Sequence, residues 1–289
     1  MSALVAALLW AGASSAHAAF PGGDGRILFS TTFGGDDCEE LGQSCGEDTN
    51  LLRMRASGRG LARFVVDAQS PAWSADGKQI AFVRGDTLWI MDASGKNQRS
   101  LGVKGFLPAW SPDGERLVFT ENNGAGAGGL ATVKTDGSDR RVLTTRLGDA
   151  DAVWSPNGKR IAFTRTSGSK HDVMEVAPDG TNVRRLVENT GFGGADYSPN
   201  GKRIVYSSAA SRLYVATAGG KRRRKLSDTA GSSPGWSPSG RYIVFDAKLD
   251  FFLINSDGSK PRRIRYDRED VSPEEGNGSW LEVAWQPVP

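Results

Sequence analysis

Short apolar runs without alternation recur along this chain: Ile80-Ala81-Phe82-Val83, Leu117-Val118-Phe119, Ile161-Ala162-Phe163, Ile204-Val205-Tyr206 and Ile243-Val244-Phe245. A strand that is apolar at consecutive positions is buried on both faces. Ahead of each run stand an aromatic residue, a serine and a turn closed by glycine, as in Trp110-Ser111-Pro112-Asp113-Gly114 and Trp154-Ser155-Pro156-Asn157-Gly158. Proline presets φ early in such a turn, Asp or Asn hydrogen-bonds its own backbone, and glycine tolerates positive φ, so the chain reverses there between two strands. The aromatic residues Trp73, Trp110, Trp154, Tyr197 and Trp236 follow one another at 37, 44, 43 and 39 residues. That period is the length of a propeller blade, and each aromatic is expected to wedge between neighbouring blades.

A third strand follows each run: Leu88-Trp89-Ile90-Met91, Leu130-Ala131-Thr132-Val133, Val173-Met174-Glu175-Val176, Leu213-Tyr214-Val215 and Phe251-Phe252-Leu253-Ile254. Small turns such as Asp136-Gly137, Asp179-Gly180 and Asp257-Gly258 then lead to a basic outer strand, as in Arg140-Arg141-Val142-Leu143. Arg and Lys on an edge strand resist pairing with other chains. The two ends complete the pattern. Ile27-Leu28-Phe29-Ser30, Leu51-Leu52-Arg53-Met54 and Arg63-Phe64-Val65 make a blade without its first strand, and Val283-Ala284-Trp285-Gln286-Pro287 is a first strand with no blade behind it. Pairing them closes a ring with no free end. The prediction is an all-β, six-bladed β-propeller whose N- and C-terminal strands share one blade. Its single domain would span 19–289, with blades near 26–66 plus 283–287, 71–101, 108–143, 152–187, 195–226 and 234–265.

Composition fits this picture. Hydrophobic residues are only 38% of the 289, and glycine is abundant at 37 residues, which suits many short strands joined by tight turns. The 36 basic and 33 acidic residues leave a formal charge of +3, too small an excess to imply nucleic acid. Ala3 to Ala13 is an apolar run followed by Ala16-His17-Ala18, an A-x-A pattern, although only Met1 and Ser2 stand where a basic leader segment would be. Residues 1–18 are therefore expected to be a cleaved signal peptide, exporting the chain to the periplasm or the outside medium. The run is too short to span a bilayer and no later stretch replaces it. In an oxidising compartment Cys38 and Cys45 are expected to form a disulfide. Its short loop would contribute about 2.5 kcal/mol in the chain-entropy model.

The W-S-P-D-G, I-A-F and D-G elements together resemble the TolB-type, WD-repeat-like propeller repeat, in five full copies and one split copy over nearly the whole mature chain. The resemblance implies a six-bladed propeller that binds another protein in the cell envelope. The family's namesake carries an α/β domain ahead of its propeller, whereas here only Ala19 to Gly25 separates the expected leader from the first strand. The namesake's full role is therefore not expected to carry over.

Candidate chemistry is sparse. Beyond the leader the one histidine is His171, in Ser169-Lys170-His171-Asp172, and it reads as an exposed loop residue rather than part of a triad. Zinc lacks ligands, and no cofactor is expected. Calcium is the one ion left open. Asp36, Asp37, Glu39, Glu40, Glu47 and Asp48 crowd one loop, and Asp267, Glu269, Asp270, Glu274 and Glu275 another. Neither shows an ordered ligand spacing, so solvated acidic loops are the favoured reading. The run Lys221, Arg222, Arg223, Arg224, Lys225, with Arg262, Arg263 and Arg265 one blade later, reads first as edge-strand protection and second as a rim patch for an anionic partner. Asp149, Asp151 and Asp196 precede first strands near the expected channel and are the candidate channel groups. The resulting expectation is a monomeric, non-catalytic binding or scaffold propeller whose partner is a protein or an anionic envelope polymer, with no nucleic acid and no membrane span. The alternative is a secreted carbohydrate- or peptide-processing enzyme working through channel carboxylates.

Overall fold

The computed structural model describes residues 20–33, 48–122, 127–247, 250–265 and 280–288. The first blade is built by β1 (Gly23–Phe33), β2 (Asp48–Arg55) and β3 (Ala62–Val65). The second has β4 (Gln69–Trp73), β5 (Gln79–Arg84), β6 (Thr87–Asp92) and the first half of β7 (Arg99–Trp110). The rest of β7 opens the third, with β8 (Arg116–Asn122), β9 (Ala127–Lys134) and β10 (Arg141–Thr144). The fourth contains β11 (Asp149–Trp154), β12 (Ile161–Ser167), β13 (Lys170–Val176) and the first half of β14 (Arg184–Tyr197). The fifth takes the rest of β14 with β15 (Arg203–Ser208), β16 (Arg212–Thr217) and β17 (Arg224–Ala230). The sixth is β18 (Ser232–Trp236), β19 (Tyr242–Ala247), β20 (Asp250–Asn255) and β21 (Arg262–Arg263). Finally β22 (Trp280–Val288) pairs antiparallel with β1, setting Trp285 opposite Ile27 and Ala284 opposite Leu28. That strand gives the first blade its fourth member. Both β7 and β14 serve as the outer strand of one blade and the inner strand of the next without a break.

The consecutive apolar runs explain themselves in the packing. On β12, Ile161 and Phe163 join residues of the third blade while Ala162 joins residues of the fifth. On β19, Ile243 and Phe245 pack on the fifth blade while Val244 packs on the first. Bulky residues thus face the preceding blade and smaller ones the following blade. The aromatic ahead of each turn does the same: Trp73 meets the first blade, Trp110 the second, Trp154 the third, Tyr197 the fourth, Trp236 the fifth and Trp285 the sixth. Each cluster spans two adjacent blades, and the cluster of Ile27, Phe29 and Trp285 with Phe251 and Leu253 joins the last blade to the first. The ring is closed. A buried Phe or Leu contributes about 1.5–3 kcal/mol of transfer free energy, so each seam is held by several such groups. The Trp110 indole also donates to the Ala72 carbonyl at 3.0 Å across its seam.

The turns are more tightly wired than their residue types alone suggest. In Ser155-Pro156-Asn157-Gly158, Gly158 N–H bonds the Ser155 carbonyl. The Ser155 hydroxyl accepts the Arg160 N–H at 3.0 Å and lies 2.9 Å from Asn157 Oδ1. The same pattern recurs at Ser74, Ser111 and Ser198. The serine therefore satisfies the first backbone N–H of the next strand, which would otherwise be orphaned under the turn.

The second turn of each blade tucks under its predecessor. A Cβ on Gly258 (φ 90°) would lie 2.1 Å from the Leu226 carbonyl oxygen, and one on Gly220 (φ 75°) 2.1 Å from that of Leu186. We expect Gly258→Ala to cost about 2–4 kcal/mol, combining the left-handed backbone with overpacking. Gly60→Ala, with φ 68° and nothing within 4 Å, should cost only about 1–2 kcal/mol. Denaturant melts of both variants decide this, and equal losses would remove the seam contact from the account.

Candidate functional site

The first strand of each blade lies at the edge of its four-stranded unit, yet β4, β11 and β18 are almost wholly buried, whereas the outer strands are largely exposed. The buried edges therefore face the axis of the ring. Their backbone is distorted at one repeated place. Ser70, Leu107, Asp151 and Ser233 have φ of 53°, 55°, 54° and 49°, and Gly194 has φ 70°, each three residues before the wedged aromatic. The pairing with the second strand shifts register at the same point in all five blades. A bulge bends its strand and re-aims the local groups. A non-glycine residue in the left-handed region costs about 1–2 kcal/mol, and that strain is borne here around the channel wall.

The structure places Asp149, Asp151 and Asp196 within the innermost strands rather than ahead of them, because those strands begin earlier than the aromatic-centred pattern indicated. All three are buried. Asp149 is fully covered and held at two points by Arg165, Nε to Oδ1 at 2.7 Å and Nη2 to Oδ2 at 2.8 Å. The carboxylate in turn raises the Arg165 pKa, and the guanidinium lies over the Phe163 ring at 5.4 Å. Such a two-point charged pair fixes geometry. It also removes Asp149 from service as a free acid or base. Asp151 sits at the bulge itself, 2% exposed.

Asp196 is different. Its side chain has no exposed surface, Oδ2 accepts the Trp236 N–H of the next blade at 2.8 Å, and Oδ1 meets no partner among the described residues. Burial pushes its pKa well above the usual carboxylate range, because the charged form is the one that desolvation penalises. Asp246, absent from the sequence candidates, faces the same strand: Ser232 donates to its Oδ1 at 2.8 Å, and burial raises its pKa too. Strand β18 is thus bound by two carboxyls, the buried Asp196 across the seam from the fifth blade and the half-buried Asp246 from its own blade.

The remaining candidates are dispersed. His171 lies on β13, with Nδ1 3.0 Å from Thr166 Oγ1, whereas Asp172 faces Arg185 and the Asn189 N–H. In the basic run, Arg223 donates to the Gly220 carbonyl, Arg224 reaches the Asp257 carbonyl of the sixth blade at 3.0 Å and Lys225 pairs with Asp228. Arg263 pairs with Asp250 at 2.9 Å. Lys221, Arg222 and Arg262 remain exposed without an ion pair among the described residues. The two halves of the run do stand on adjacent outer strands, but part of their charge is already answered. Cys38, Cys45, the leader and the acidic residues at 36–47 and 267–275 lie outside the described residues, as does the side chain of Asp48. Among the described residues no cluster of His, Cys, Asp or Glu could hold a metal, and no helix is long and apolar enough to cross a membrane.

A closed ring of six four-stranded blades with a distorted inner wall defines a β-propeller. The chain belongs to the TolB beta propeller domain family, whose pattern matches residues 50–240. TolB from Acinetobacter baumannii is similar in structure, with TM-score 0.70 at 20% identity over 92% of this chain and 68% of that one. A chain of a nidogen/laminin complex is similar with TM-score 0.70 at 14% identity over 91% and 98%. A gluconolactonase from Xanthomonas campestris follows with TM-score 0.53 at 15% identity over 82% and 86%. At these identities the likeness is one of fold. No curated protein sequence matches the chain.

The buried Asp196 carboxyl makes a pH prediction. With its proton affinity raised in the folded state, its contribution is complete below the ordinary carboxylate range and is lost as pH rises through the elevated folded value. Asp196→Asn should therefore gain melting temperature relative to wild type between pH 5 and 8, with the advantage vanishing near pH 4. Thermal melts across that range check this, and a pH-independent difference would contradict it.

Proposed function

We propose that this is an exported, non-catalytic propeller that works as a binding platform for another protein of the cell envelope or the outside medium. One observation carries the reading: two of the three carboxyls expected near the channel are already engaged by the protein itself. Asp149 is locked to Arg165 and Asp196 is sealed between blades. A pair of carboxylates for glycosidic chemistry needs one free base or nucleophile and one reachable acid, which neither of these provides. The A-x-A leader pattern supports export. The TolB family membership and the fold shared with a chain of a nidogen/laminin complex support a protein partner. An anionic polymer is the weaker choice of partner, since Lys225 and Arg263 have acidic neighbours.

The enzyme reading draws on the fold shared with a gluconolactonase, and Asp151 at the bulge is where it would act. Two measurements separate the readings. The mature chain should capture a partner from an envelope extract, and that partner, once identified and purified, should bind it with a Kd of about micromolar or tighter. No oligosaccharide, lactone or peptide in a substrate panel should turn over. Turnover that is lost in Asp151→Asn would overturn the proposal.

A further inference from the structure

Each blade carries an equivalent slot, formed by the residue just before its second strand's apolar run and one residue of its third strand. In the fourth blade these are Arg160 and Glu175. Glu175 is buried and pairs with Arg160, with Arg184 at 2.8 Å and with the Tyr197 hydroxyl at 3.2 Å. In the third blade they are Arg116 and Thr132. The guanidinium pairs with Asp139 at 2.8 Å and donates to Thr132 Oγ1 at 3.2 Å. In both blades, therefore, the slot's arginine is answered by a carboxylate.

The first blade differs from both. Its slot residues are Arg26 and Arg53, since the pairing of Leu28 with Arg53 corresponds to that of Ala162 with Glu175. Two cations stand where the fourth blade has a cation and an anion, and neither pairs with a carboxylate among the described residues. The other blades place Ile90, Val215 and Leu253 at the position of Arg53, so the backbone geometry does not demand arginine there.

The two arginines line a cleft of about 250 Å³ between the first and second blades, with Phe64, Trp73, Ala93 and Gln286. The Arg53 guanidinium lies over the Phe64 ring, 4.8 Å from its centroid. Stacking of this kind holds the plane of the guanidinium and leaves its N–H edge to reach an acceptor. Gln286 is already engaged. Its amide is fastened to the Gly77 carbonyl at 3.1 Å and to the Arg26 N–H at 3.3 Å, which shapes the wall instead. Burial and the neighbouring Arg26 charge lower the Arg53 pKa, a mutual repulsion that an anion would relieve.

We propose that this cleft is a binding site for a small carboxylate joined to an apolar body, with Arg26 and Arg53 taking the carboxylate and Phe64, Trp73 and Ala93 the body. Its volume lies just below the usual range for drug-sized ligands, which sets the scale of the occupant. The site stands at a blade seam and does not depend on which partner the platform binds.

Benzoate, with methyl benzoate as the uncharged control, tests it on the mature chain. Tryptophan fluorescence and the arginine Nε–H NMR signals report the titration. Benzoate should bind saturably and shift the Arg53 and Arg26 signals, while methyl benzoate should not. Arg53→Glu installs the ion pair of the fourth blade. It should weaken benzoate at least about tenfold, the scale of a charge-assisted hydrogen bond, while raising the melting temperature. Arg26→Gln changes an exposed residue, leaves the fold intact and should weaken binding in the same direction. Absence of saturable benzoate binding, equal binding of the ester, or unchanged affinity in both variants would overturn the proposal.

Discussion

The middle strands of each blade bury both of their faces, and no face can be buried until a neighbour stands on each side. Everything else follows from that constraint. An open row of blades would leave the face carrying Ile27 and Phe29 in water at one end and that carrying Phe251 and Leu253 at the other. Those residues instead form one cluster. Closure is carried by β22, which contributes Trp285 to that seam and Ala284 to the neighbouring one. The hydrophobic gain is non-directional, so geometry must come from elsewhere. The aromatic wedges, the serine-centred turns and the glycines tucked under the preceding outer strand supply it.

Polar groups near the axis serve the same end. A carboxylate in a buried wall needs a partner or a proton, and the molecule uses both solutions. Asp149 has Arg165, whereas Asp196 has a raised proton affinity and accepts a backbone N–H from the next blade. Glu175 is answered by two arginines at a seam. Asp196 thereby ties one blade to the next, Asp149 ties two strands of a single blade, and Glu175 binds within its blade while meeting the Tyr197 hydroxyl of the next. The rim arginines share this double nature. Arg99 and Arg224 each reach a carbonyl in the next blade's second turn, so positive charge on the outer strands braces the ring as well as guarding the edges.

The blade pattern was legible in the amino-acid order because it is local. An apolar run, a turn with fixed residue types and a period near forty residues each reflect interactions within a few positions of the chain. Six copies of them require the same neighbours on both sides. Closure by the last strand was legible as well, since one blade lacked a strand and one strand lacked a blade. The site was legible only in outline. Asp149, Asp151 and Asp196 were placed near the axis but ahead of the strands, since the bulged start of each inner strand carries no marker. Ser70, Leu107 and Ser233 are ordinary residues forced into left-handed backbone.

The sequence by itself determined the architecture, the seams and the basic outer strands, because periodic burial leaves periodic composition. Tertiary structure alone decided the fate of the charges. Arg165 lies opposite Asp149 only through strand register, and the Trp236 N–H reaches Asp196 only across a seam. Whether Arg26 and Arg53 oppose one another or are neutralised depends on which side chains from distant positions converge. Electrostatic partners are chosen by distance in space, and that distance is set by packing, to which no local pattern of residues refers.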